Sequence, residues 1–102
     1  MAETFVERRF ELRVGGAVTV HLFRPEPDGD DWRCAYRIIW PDRERRSQAF
    51  GVDGLQALFL AMQKVHADLL ASPENKAGAL TWLAERDLGL PLPRGLEPDD
   101  FA

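Results

Sequence analysis

Strict apolar alternation in the first half, a long apolar stripe of helical period in the second and a leucine-rich, proline-spaced close predict an α+β protein. The expected architecture is a four-stranded antiparallel meander packed against one long helix in the C-terminal half, with a short fifth strand and an extended C-terminal strap. The 102 residues suffice for one modest core. Hydrophobic and charged contents of 45% and 29% are those of a chain that folds. Residues 1–93 are expected to form a single domain, and 94–102, "RGLEPDDFA", a flexible polar tail.

The first strand is "TFVERRFELRV". Val6, Phe10, Leu12 and Val14 share one parity and Glu7, Arg9, Glu11 and Arg13 the other, so the strand is half-buried with a charged outer side. Gly15-Gly16 turns the chain into "AVTVHLFR", with Val18, Val20 and Leu22 inward. A two-residue loop would place the two apolar sets on opposite sides. A three-residue loop or a bulge restores them, setting Val14 against Val18, Leu12 against Val20 and Phe10 against Leu22, with His21 opposite Glu11 on the outer side.

After the loop "PEPDGDD", the third strand "WRCAYRIIW" directs Trp32, Cys34, Tyr36, Ile38 and Trp40 inward and Arg33, Ala35, Arg37 and Ile39 outward. "PDRER" then leads to a fourth strand, "RSQAFGV", whose Gln48, Phe50 and Val52 are expected to face Ile38, Tyr36 and Cys34. Asp53 caps the helix that follows, and Gln56 completes a capping box. At about 100° per residue, Leu55, Leu58, Phe59, Met62, Val65, His66 and Leu69 form the stripe, while Ala57, Lys64 and Asp68 fall opposite.

Four strands about 4.8 Å apart are wider than one helix about 10 Å across can cover, so a second element must share the task. Residues 78–93, "GALTWLAERDLGLPLP", supply it: Leu80–Leu83 as a fifth strand and the remainder as the strap. The rival assignment is a second helix beginning at Ser72-Pro73-Glu74, with Gly78 against it.

"GVDGLQAL", "TWL" and "DLGLP" resemble an uncharacterised family of small bacterial proteins grouped under a domain-of-unknown-function label. The similarity spans about residues 8–93. It implies a single-domain bacterial α+β protein and brings no catalytic residues with it. Eleven arginines against two lysines also point to a GC-rich bacterial genome.

Charge limits the partners. Residues 1–50 hold nine basic and nine acidic side chains, whereas residues 51–102 hold four and eight, so the net −4 belongs to the second half. Without clustered positive charge, neither nucleic acid nor a membrane surface is expected as a partner. No signal peptide or membrane span is visible, and the single cysteine forms no intramolecular disulfide or cysteine-based zinc cluster, so a cytoplasmic location is expected.

Two candidate sites emerge. The first is a pocket of His66, Tyr36 and Gln48 between helix and sheet. A buried imidazole needs a hydrogen-bond partner, and Tyr36 and Gln48 are placed to provide one. As a working site, His66 would be a general base, with Cys34 close by. No carboxylate is placed to orient the ring, because Asp68 falls on the far side of the helix, so the structural reading leads.

The second is an outer patch in which Arg33, Arg37, Arg43 and Arg45 form a positive strip with Ile39 and Phe23 as apolar anchors, suited to an acidic protein partner. Phe5 adds to the apolar area of that side. "PDGDD" lacks the alternating oxygen ligands and distal glutamate of a calcium loop, and His21 and His66 fall on opposite sides of the sheet. No catalytic residue, cofactor or metal is expected. The leading expectation is a non-enzymatic interaction module that binds a protein partner or itself as a homodimer. The alternative is a small-molecule-binding protein or minor hydrolase built around His66.

Overall fold

The computed structural model describes residues 3–101 and places β1 (Thr4–Leu12), β2 (Ala17–Phe23), β3 (Glu26–Asp28), β4 (Asp31–Ile39) and β5 (Glu44–Gly51) before helix α1 (Gly54–Leu70). A one-turn helix α2 (Pro73–Lys76), a short β6 (Leu80–Thr81) and a 3-10 turn at Pro98–Phe101 follow. All strand pairings are antiparallel. β5 occupies one edge of β4 along its length, while β2 and β3 share the other. The pair is one strand interrupted at Arg24-Pro25, where proline has no N–H to donate. β1 pairs with β2 on its other side and β6 closes the far end of β1, so the four-strand meander is present and slightly extended.

The inner side of the sheet carries Phe10, Leu12, Val18, Val20, Leu22, Cys34, Tyr36 and Ile38, all buried in one core. These are the parities that alternation in β1, β2 and β4 predicts. The β1–β2 register differs: Phe10 pairs with Val18, Arg8 with Val20 and Val6 with Leu22. Gly15 and Gly16 both take positive φ, 102° and 87°, and stretch the turn so that Val14 sits on it, 83% exposed. Because the slip is an even number of residues, inside stays inside. His21 now faces Glu7 rather than Glu11.

β5 departs from expectation by an odd slip. Ser47, Ala49 and Gly51 pair with Tyr36, Cys34 and Trp32, so the inward positions are the small ones. Gln48 and Phe50 turn outward, and Val52 is 73% exposed. The cause is the close approach of α1: a Cβ on Gly51 would stand 2.5 Å from the backbone nitrogen of Ala57. Ala57, Ala61, Val65 and Leu69, spaced by four, form the buried row against the sheet. The helix is therefore rotated from the expected stripe, leaving Leu55 77% and Phe59 48% exposed and turning Asp68 toward the sheet.

The helix start is as read: Asp53 Oδ1 accepts from Gln56 N at 2.8 Å, and Gln56 Oε1 accepts from Val52 N at 2.7 Å. Both assignments after the helix are realised in part. Ser72 caps α2, Gly78 ends it at positive φ, and β6 pairs Leu80 with Leu12 and Thr81 with Glu11. Beyond β6 the strap crosses the sheet and buries Leu88. Arg8 fastens it, stacking 3.8 Å from the centre of the Trp82 ring and donating from Nη1 to the carbonyls of Leu88 and Gly89 at 3.0 and 2.9 Å. Phe101, in the 3-10 turn, packs against the core.

Candidate functional site

His66 and Asp68 lie two residues apart on α1, which places them on opposite flanks of the helix. On the Asp68 flank, Tyr36 Oη donates to Asp68 Oδ2 at 2.6 Å and Arg45 Nε donates to the same oxygen at 2.9 Å. Lys64 Nζ, one turn earlier, donates to Ser47 Oγ at 3.1 Å and to the Gln48 carbonyl on the outer edge of β5 at 2.8 Å. Arg43 continues this side, holding Glu74 through two hydrogen bonds of 2.9 and 2.8 Å while lying 4.2 Å from the centre of the Trp40 ring. Burial, together with the Asp68 carboxylate, pushes the Tyr36 phenol up to about 12. It stays protonated and serves as a donor, not as a base or nucleophile.

On the other flank, His66 is 5% exposed and its Nδ1 lies 3.1 Å from the carbonyl oxygen of Pro91 in the strap. A carbonyl only accepts, so the ring proton is on Nδ1. Burial lowers the pKa of the imidazole, partly opposed by the Pro91 backbone, Asp87 and the Leu90 backbone, and the neutral ring is favoured. The ring borders a cavity of about 610 Å³ between α1, α2, the strap and the 3-10 turn. Leu70, Leu88, Leu90, Leu92 and Pro98 provide its apolar wall.

The expected trio of His66, Tyr36 and Gln48 is thus not one pocket. His66 is tied to the strap, Tyr36 to Asp68 on the opposite flank, and Gln48 lies on the outer side of β5. The odd slip of β5 removes Gln48, and the rotation of α1 brings in the carboxylate that the expected stripe placed far from the sheet. Cys34 is fully buried, its Sγ donating to the Phe23 carbonyl at 3.4 Å, and burial pushes the thiol up to about 11. That is a packing residue's environment rather than a nucleophile's. The one available sequence signal for the true arrangement is the matched run of small residues, Ser47, Ala49 and Gly51 with Ala57 and Ala61.

Arg33, Arg37, Ile39 and Phe23 lie on the outer side of the sheet, whereas Arg43 and Arg45, expected in the same strip, instead bond Glu74 of α2 and Asp68 of α1. His21 pairs with Arg37 and Thr19 with Ile39, and Phe50 joins them opposite Arg33. Phe5 instead sits at a bulge between Thr4 and Val6, with Arg24 5.3 Å from the centre of its ring. Among the described residues, no outward side chain of β2 or β4 is fully buried. Glu26 pairs with Arg33 at 3.0 Å, while Glu44 serves both Arg37 and Arg46, at 3.0 and 3.1 Å. Glu7, 3.9 Å from His21, adds a further carboxylate to the same side. Among the described residues, no group of three or more His, Cys, Asp or Glu side chains is arranged to hold a metal ion. No described helix is long and apolar enough to cross a membrane.

These features define a small α+β protein whose antiparallel sheet is covered on one side by a helix and a strap and bare on the other. The chain belongs to the family described as a domain of unknown function (DUF6968), whose model matches residues 6–92. That agrees with the uncharacterised family which residues 51–58, 81–83 and 87–91 resemble. No curated protein and no solved structure matches the chain.

Proposed function

We propose that this protein is a non-enzymatic interaction module that docks a protein partner on the bare side of its sheet. The supporting observation is the assembled outer patch: Phe23, Ile39 and Phe50 set among Arg33, Arg37 and Arg46, with one glutamate shared by two of the arginines. Apolar groups supply burial there, and the arginines among them offer donors to a partner that presents carboxylates. A second copy of the chain meets this description, since residues 51–102 carry the whole acidic excess. A bacterial, cytoplasmic setting completes the reading.

Two measurements test it. Native mass spectrometry and a pull-down from the native host are run with the wild-type chain and with a variant carrying Ile39→Asp and Arg37→Glu. A homodimer or a captured partner that the variant loses while keeping its fold supports the proposal. Identical profiles for the two proteins overturn it.

A further inference from the structure

The imidazole of His66 is only half used. Its Nδ1–H is spent on the Pro91 carbonyl at 3.1 Å, which leaves Nε2 as a bare lone pair. Among the described residues, no protein group donates to that nitrogen. Nε2 is not sealed from solvent, so a ligand hydroxyl there would take the place of a water, whereas an apolar ligand would leave the acceptor unmet. The cavity it borders, about 610 Å³, lies in the range of roughly 300–1,000 Å³ usual for small-molecule sites. Its mouth carries Lys76 and Arg86 against Asp87 and Asp99, two charges of each sign, so no net field selects an ion. Two of the four are also engaged in the scaffold, Arg86 with the Asn75 carbonyl at 3.0 Å and Asp87 with the Gly89 amide at 2.8 Å.

We propose that this cleft binds a small, mainly apolar alcohol or phenol, the hydroxyl donating to His66 Nε2 and the body lying on Leu70, Leu88, Leu90 and Leu92. The site is separate from the bare side of the sheet, so it stands or falls independently of the docking reading. It is a binding site and not a catalytic one: the ligand's proton stays on the ligand, and no bond is made or broken.

The test uses p-cresol and toluene, which differ by one hydroxyl, as probes in NMR titrations of the full chain. The p-cresol titration is expected to shift His66, Leu88 and Leu90, with a dissociation constant roughly tenfold below that of toluene, about the worth of one hydrogen bond. The preference should vanish in His66→Leu. A second measurement needs no variant: in wild-type protein with ¹⁵N-labelled histidine, Nε2 of His66 should resonate as an unprotonated nitrogen and move on addition of p-cresol. Equal affinity for the two probes, shifts confined to other surfaces, or a proton resident on Nε2 would each overturn the proposal.

Discussion

The two flanks of α1 use polar groups in opposite ways. On one, Asp68 takes two hydrogen bonds on a single oxygen, and every partner is a fixed part of the sheet. On the other, the Nδ1 of His66 is held by the strap, and the residue lines a cavity. Bonds made wholly within the fold mark Asp68 as architecture, whereas the space of ligand size beside His66 is what sets the other flank apart.

Lifting the helix should break the contrast most severely. Gly51→Val pushes a side chain into the Ala57 backbone and should cost about 3 kcal/mol in urea unfolding, because no flexible neighbour can yield. Asp68→Ala removes the acceptor shared by Tyr36 and Arg45 and should cost about 2 kcal/mol in the same assay. Tyr36→Phe deletes one of those bonds and should cost about 1 kcal/mol. His66→Leu on the opposite flank should stay within about 1 kcal/mol of wild type; a loss as large as that of Asp68→Ala would mean that the two flanks do not differ.

The gentlest probe is pH. Burial holds the imidazole of His66 less basic in the folded protein than its ordinary 6.5. Stability is therefore undiminished above the unfolded value and declines as pH falls below it, since the unfolded chain binds the proton first. Chemical denaturation at pH 7.5 and 5.5 should show that decline in wild type and a smaller one in His66→Leu. Glu74, held below the usual carboxylate range by Arg43, loses its contribution only as the solution becomes more acidic still.

Much of the fold is legible in the sequence. The parities of β1, β2 and β4, the Asp53 cap and the need for a strap all follow from alternation, capping chemistry and the width of a sheet. The candidate pocket is not legible, for a definite reason: periodicity analysis ranks positions by apolar size, whereas α1 and β5 approach so closely that only small residues fit between them. Phe50 and Leu55 therefore read as core and lie outside, and Ala57 reads as surface and is fully buried. A single odd slip in β5 then turns the Gln48 side chain to the outer side, and the same close packing brings Asp68 to Tyr36. Arg33, Arg37 and Ile39 face outward as expected because their strand, β4, keeps its predicted parity.

Lys64, resting on the Gln48 carbonyl, has a consequence beyond this network. β5 is the outermost rung of the ladder, where a stranger's backbone amide would find its first foothold. With an ammonium already seated on that oxygen, neighbouring molecules are discouraged from zipping into a shared fibril. Shortening this one side chain should therefore be felt in crowded solutions well before it is felt in the fold.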